Sequence, residues 1–159
     1  MPISYAIHGS PIGELLLVAD DTALLRLHVR QGKYEPALQA DWRNDRSHPI
    51  LNLAQRELDA YFARRLQAFS VAIAPQGTAF QRRVWTALTG IPYGETRTYT
   101  QQAHAIGQPA AVRAVGAANG RNPISLIVPC HRVIGADGAM TGYAGGLTAK
   151  RMLLELEAA

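Results

Sequence analysis

The segment Ala74-Pro75-Gln76-Gly77-Thr78 most limits how this chain can fold, because a proline and a glycine two residues apart interrupt any helix or strand running through them. The patterning differs on its two sides. Before it, residues 12–19 and 23–29 are β-prone runs parted by Asp20-Asp21-Thr22, which reads as a hairpin. Residues 32–49 are polar and irregular. Residues 50–62 place Leu51, Ala54, Leu58, Tyr61 and Phe62 at helical spacing, and residues 69–73 read as another strand. After the break, residues 78–88 put Phe80, Val84, Trp85 and Leu88 on one helical face. We therefore expect an α+β protein. A small N-terminal α/β domain (1–75), a short antiparallel sheet plus a helix, supports a mainly helical C-terminal domain (76–159). With 159 residues, the chain is long enough for a hydrophobic core.

Charge follows the same division. Residues 1–75 hold eight basic and eight acidic residues, whereas 76–159 hold eight basic and four acidic ones, so the net charge of +4 lies wholly after the break. That half is where a polyanion is expected. The N-terminus has no basic stretch leading into an apolar run, so no secretory signal is expected. The apolar runs are too short to span a bilayer, so no membrane association is expected either. One cysteine excludes an internal disulfide, and a reducing cytoplasm is the expected setting.

The second half carries a helix-turn-helix pattern. Pro92-Tyr93-Gly94-Glu95 is a turn. Thr98 with Gln101 three residues on is a capping-box start for a helix running to about Ile106, and Gly107 is the turn. Pro109 at a first helical position opens a second helix through Ala118, closed by Asn119-Gly120. Val112 and Val115 form its apolar face. Its other side offers Ala110, Arg113, Ala114 and Ala117, a single arginine among very small side chains. Two readings fit this face: close approach to a nucleic acid with Arg113 at phosphate or in the base stack, or an alanine-rich helix with one solvated arginine.

An apolar run then ends at Pro129-Cys130-His131-Arg132-Val133. A lone cysteine is either an inert small core residue or a nucleophile. A free thiol, with a pKa of ~8.5, is only a few per cent thiolate at neutral pH, so a nucleophilic one needs a base or a positive field. His131 is the candidate. Adjacent residues of a strand point to opposite faces, so the pair can cooperate only in a tight helical turn or through a water. The imidazole in turn needs a partner on its other nitrogen. In the helix expected over residues 147–157, Glu157 continues the stripe of Leu153 and Leu154. It is either drawn inward or solvated at a frayed end.

Pro129-Cys130-His131-Arg132-Val133, followed by Gly142-Tyr143-Ala144-Gly145-Gly146-Leu147, resembles the signature of the O6-alkylguanine-DNA alkyltransferases, or methylated-DNA–protein-cysteine methyltransferases. The likeness extends from about Pro75 to Glu157 through Phe80-Gln81-Arg82-Arg83-Val84-Trp85, Ile91-Pro92-Tyr93-Gly94-Glu95-Thr96 and Arg113-Ala114-Val115-Gly116. The resemblance implies direct-reversal repair without a cofactor. The O6-alkyl group of a flipped-out guanine, or the O4-alkyl group of thymine, passes once to Cys130. It implies that a water links Cys130 to His131, that Glu157 orients His131 and that Asn122 holds the active-site turn. It makes Arg113 the finger that fills the vacated stack, and Tyr99 the residue that helps rotate the nucleotide and donates toward the departing base. The carbonyls of Cys130 and Val133 would read the guanine amino group. Tyr143 and the Ala144 amide would line the O6 side, with Ser125, Gly145 and Gly146 completing the pocket. The helix bearing Ala110, Arg113, Ala114, Gly116 and Ala117 would enter the minor groove of double-stranded DNA. A monomer is expected.

The chain departs from the family pattern at several positions. Residues 1–75 contain no cysteine, so the zinc site of some members is not expected, and His8, His28, His48 and His104 read as ordinary histidines. Ser125 stands where some relatives carry proline. Ala144 stands where some carry serine, which leaves a backbone N–H to face the O6 atom. Arg132 is expected to be structural. Three rival readings are a non-catalytic lesion reader, which would lack Cys130, a Cys-His hydrolase, which the helix-turn-helix disfavours, and a simple DNA-binding module, which leaves Cys130, His131 and Glu157 unexplained.

Overall fold

The computed structural model describes all 159 residues. The N-terminal sheet has the order β3-β2-β1-β4. In it β1 (Ser4–His8), β2 (Leu15–Ala19) and β3 (Leu24–Val29) are antiparallel, and the two-residue β4 (Arg43–Asn44) joins β1 in parallel. The expected hairpin is β2–β3, and its turn is closed by Asp20, whose side chain accepts from the backbone N–H groups of Thr22 and Ala23. All five residues of β2 are buried. Leu15, Leu17 and Ala19 meet Leu51, Ala54 and Leu58 of α1 (Pro49–Phe62) in the main core. No helix is long and apolar enough to cross a membrane.

In this half one expectation fails and one strand is missed. β1 was not foreseen, although its alternating burial is that of a strand with one face inward. Residues 69–73 form no strand. The Glu57 carboxylate of α1 takes the N–H groups of Ser70 and Val71 at 3.0 Å, so the groups a ladder would use are already occupied. Only Ile73 bridges to Leu24.

In the second half α2 (Ala79–Thr89), α3 (Tyr99–Ala105), α4 (Val112–Gly120) and α5 (Leu147–Ala158) enclose a short parallel pair, β5 (Arg97–Thr98) and β6 (Val133–Ile134). Capping boxes start both α2, from Thr78 and Gln81, and α3, from Thr98 and Gln101. The second helix of the helix-turn-helix starts later than expected. Residues 108–111 form a turn in which the Ala111 N–H reaches the Gln108 carbonyl at 2.9 Å, and α4 begins at Val112. Pro109 and Ala110 therefore lie outside the helix, because reversing the chain after Gly107 (φ +74°) takes a second turn. At the other end Gly120 is still helical and Arg121 is the cap. A buried amide pair fixes α3 against α4: Gln102 and Asn119 exchange hydrogen bonds of 2.9 and 2.7 Å.

The halves share backbone pairing. The outer edge of β3 bonds to the strap just before the cysteine, with Leu27 N–H on the Pro123 carbonyl and Ser125 N–H on the Leu27 carbonyl. The connecting segment is also fastened. A Cβ on Gly77 would sit 2.5 Å from the Trp85 ring, so only glycine lets it lie flat there, while the Trp85 indole N–H donates to the Ala118 carbonyl of α4.

His28 on β3 is buried, and burial, reinforced by the Arg26 charge, pulls its pKa down to about 4. The unfolded chain therefore binds a proton below pH ~6.5 that the folded chain refuses, and stability falls as pH drops from 6.5 toward 4. Chemical denaturation should show a loss of about 2 kcal/mol between pH 7 and 5 from this group. In His28→Leu that part of the pH dependence should vanish.

Candidate active site

Cys130, His131 and Arg132 form a single 3₁₀ turn after Pro129, so the two neighbours Cys130 and His131 stand in a tight helical turn and not on opposite faces of a strand. The approach to it is shaped by Asn122. Its side-chain N–H group donates to the Val128 carbonyl (2.8 Å) and to Cys130 Sγ (3.3 Å), and its oxygen accepts from the Ile124 N–H (3.0 Å). Leu126 within that loop takes φ +73°, a left-handed conformation that an L residue holds only where its surroundings enforce it.

His131 is wholly buried. Its Nε2 lies 2.8 Å from Glu157 Oε2, and its Nδ1 has no partner in the protein. Glu157 is turned inward near the end of α5, where four bonds converge on its carboxylate. Arg132 grips it with two (Nε 2.8 Å, Nη2 3.1 Å), His131 adds the third, and the Tyr61 hydroxyl of α1 donates the fourth at 2.5 Å. Arg132 also donates to the Ile91 carbonyl at 2.7 Å. Burial alone would raise the Glu157 carboxyl, but the donors His131, Arg132 and Tyr61 hold it down to about 2. Burial pulls the His131 imidazole down, against the pull of Glu157, and keeps it neutral near pH 7. Burial pushes the Cys130 thiol up, opposed by the Asn122 donor and the Lys150 charge.

Two of these groups were not foreseen. Lys150 of α5 is fully buried, and its ammonium donates to the carbonyls of Val133 (2.6 Å), Thr141 (2.7 Å) and Gly142 (3.3 Å), closing the loop between β6 and α5 back onto the turn. Tyr61 was placed on the core face of its helix without a polar role. A buried tyrosine needs a partner for its hydroxyl, and that was the only signal available.

A groove of about 730 Å³ leads to this site. Cys130, Tyr99, Tyr143 and Ala144 line it, and so do Ala114, Gly116 and Ala117 of α4. The Tyr99 hydroxyl reaches Thr141, 3.3 Å from its carbonyl. Arg113 is exposed near the start of α4, and Ala110 lies in the preceding turn. Ser125 is buried. Val133 has its N–H on the Cys130 carbonyl and its own carbonyl on Lys150, so both carbonyls already accept one bond. Gly145 lies against Val29 and the Tyr143 ring, where a Cβ would come within 2.8 Å, and Gly146 (φ +97°) caps α5.

Residues 3–75 match the family model of the 6-O-methylguanine DNA methyltransferase ribonuclease-like domain, and residues 79–159 that of its DNA-binding domain. The chain belongs to this family. Its likeness to individual members is close throughout. A methylated-DNA–protein-cysteine methyltransferase of Methanosarcina barkeri is 51% identical over 153 residues, 96% of each chain. The solved O6-methylguanine methyltransferase of Mycobacterium tuberculosis is 50% identical with a TM-score of 0.90, over 98% of this chain and 93% of that one. A structure of Mycobacterium tuberculosis OGT in complex with DNA is 49% identical with a TM-score of 0.89, over 98% of this chain and 92% of that one.

For this methyltransferase-family chain the Glu157 cluster makes a stability prediction. Glu157→Ala leaves the buried Arg132 charge without its partner and should cost about 3–5 kcal/mol in urea unfolding. Tyr61→Phe, which removes one hydrogen bond to a charged group, should cost about 1.5–3 kcal/mol.

Proposed function

We propose that this chain repairs alkylated DNA by direct reversal, transferring the O6-alkyl group of guanine, or the O4-alkyl group of thymine, once and irreversibly to Cys130. The observation that carries this reading is a single thiol lining a groove, next to a buried imidazole whose Nδ1 has no protein partner and whose Nε2 is held by an ionised carboxylate. Residues 1–75 form the supporting domain in this reading, and residues 76–159 bind DNA and accept the alkyl group.

The alkyl carbon cannot be reached inside a stacked duplex, so the nucleotide must rotate into a pocket at a cost of a few kcal/mol. Arg113 enters the stack in its place. The small side chains of Ala110, Ala114, Gly116 and Ala117 let the backbone approach the floor of the minor groove. Tyr99 helps turn the nucleotide out. The carbonyls of Cys130 and Val133 accept from the guanine amino group through their second lone pairs. Tyr143 and the Ala144 N–H face the O6 atom, with Ser125, Gly145 and Gly146 behind them.

Neutral His131 takes the thiol proton through a water at Nδ1. Its Nε2–H stays on Glu157, whose charge stabilises the imidazolium as the thiolate forms. Asn122 keeps a donor on the sulfur throughout. The S–C bond forms as the C–O6 bond breaks, and the electron pair leaves with the base. Tyr99 donates a proton so that neutral guanine departs, and the proton that His131 took from the thiol returns through solvent to the Tyr99 phenolate, so no net proton is gained or lost. The product is a thioether. Nothing in the site makes its sulfur a leaving group, and no second thiol exists to accept the alkyl group, so each molecule acts once, as a monomer and without a cofactor. The cytoplasm suits the thiol.

Incubation with a duplex containing methyl-labelled O6-methylguanine, followed by intact mass and label mapping, tests this. At most one methyl should appear per chain, on Cys130, and none in Cys130→Ala. Label elsewhere, or repeated turnover, would refute the reading. Arg113→Ala should slow reaction with duplex DNA more than about tenfold beyond any effect on the free modified base, since the flipping penalty is no longer offset. Equal losses would remove the finger role.

A further inference from the structure

Two cations at the groove belong neither to the thiol's machinery nor to the Arg113 face. Lys33 stands on the loop after β3, in the half of the chain whose charges balance, and Arg121 caps the C-terminus of α4. Both are exposed, both line the groove that reaches Cys130, and neither makes an ion pair. The groove is lined by no aspartate or glutamate. The one nearby acid on the loop, Glu35, is already engaged, paired with Arg30 at 2.8 Å and accepting from the Gln31 N–H.

The loop is built to hold this position. Lys33 N–H donates to the Ala144 carbonyl at 2.9 Å, so the loop is pinned to the groove wall beside the thiol. A Cβ on Gly32 would lie 2.8 Å from that same carbonyl, so only glycine permits the approach. Gln31 and Tyr34 both take left-handed backbone conformations, φ +67° and +65°, which turn the chain tightly between them. Both cations lie over the Tyr34 ring, with the Arg121 guanidinium 4.0 Å and the Lys33 ammonium 5.4 Å from its centroid. The ring holds Arg121 without neutralising it.

We infer that the loop carrying Lys33 and Tyr34 is a second DNA-contacting element, in which Lys33 and Arg121 bind backbone phosphates of the duplex whose base enters the groove. The inference rests on the DNA-repair reading above. It assigns the N-terminal half a direct share of the interface, which the division of charge along the sequence conceals. Two close cations with no competing carboxylate suit phosphate, and a contact to phosphate adds affinity without sequence preference.

The test is binding of a dye-labelled undamaged duplex by fluorescence anisotropy across a sodium chloride series. Lys33→Ala and Arg121→Ala should each reduce the slope of log K against log salt by about 0.9 and weaken binding several-fold at low salt. Lys33→Arg, which keeps the charge, should retain the wild-type slope. Arg65→Ala, which removes a charge from the same half but not from the groove, should do so as well. Thermal unfolding checks the fold of each variant, and Lys33→Gln replaces Lys33→Ala if that variant is unfolded. A wild-type slope in the folded Lys33 variant, or an equal reduction in Arg65→Ala, overturns the loop's role. Absence of salt-dependent duplex binding by the wild-type protein would instead overturn the DNA-repair reading itself.

Discussion

The carboxylate of Glu157 is the point on which the rest of the site depends. Removing a charge from water costs several kcal/mol, and a buried carboxylate persists only where donors offset that loss. Here the donors come from both halves of the chain: Tyr61 from α1, and His131 and Arg132 from the turn that carries the thiol. Arg132 extends the network to the Ile91 carbonyl. One anion thus fixes the tautomer and direction of the imidazole, anchors the end of α5, and ties the N-terminal helix to the turn that carries the thiol. His131 is held from one side only, and its second nitrogen has no partner in the protein.

Lys150 does for the loop what Glu157 does for the turn. Its ammonium gathers three carbonyls that would otherwise lie apart, from Val133 and from Thr141 and Gly142. The segment bearing Tyr143 and Ala144 is thereby closed against the cysteine from the α5 side, while Lys33 N–H closes it from the sheet side. The glycine-rich loop between β6 and α5 is thus fastened by two distant donors as well as by its own turns, in which Gly138 N–H meets the Gly135 carbonyl and Gly146 N–H the Tyr143 carbonyl.

Features written in local patterns were legible in the sequence. The β2–β3 hairpin, α1, α2 and the Thr98 capping box rest on spacing and caps within a few residues of each other. The inward turn of Glu157 stood as one of two readings because its spacing from Leu153 and Leu154 allowed it. The polar pairs that build the site left no such imprint. Tyr61 and Glu157 are 96 residues apart, and the Gln102–Asn119 pair and the Lys150 contacts have no period to betray them. The missing strand over residues 69–73 and the late start of α4 each have their own cause. A side chain from elsewhere, Glu57, captured the backbone of residues 70 and 71, and the return after Gly107 needed more chain than the Pro109 signal suggested. The chemistry of Cys130 was left open by its neighbours alone, and the family signature supplied what local physics could not.

The Pro75–Gly77 interruption separates two patterns in the sequence, yet in the fold it is no joint. Gly77 lies flat against the Trp85 ring, Trp85 is bonded to α4, and β3 is zipped to residues 123–125. The groove is consequently a mould set before any encounter with a partner. A surface whose walls are already bonded together loses less chain entropy on association than one assembled in the encounter. For the reaction proposed, the larger deformation then falls on the nucleic acid, whose base has to leave the stack.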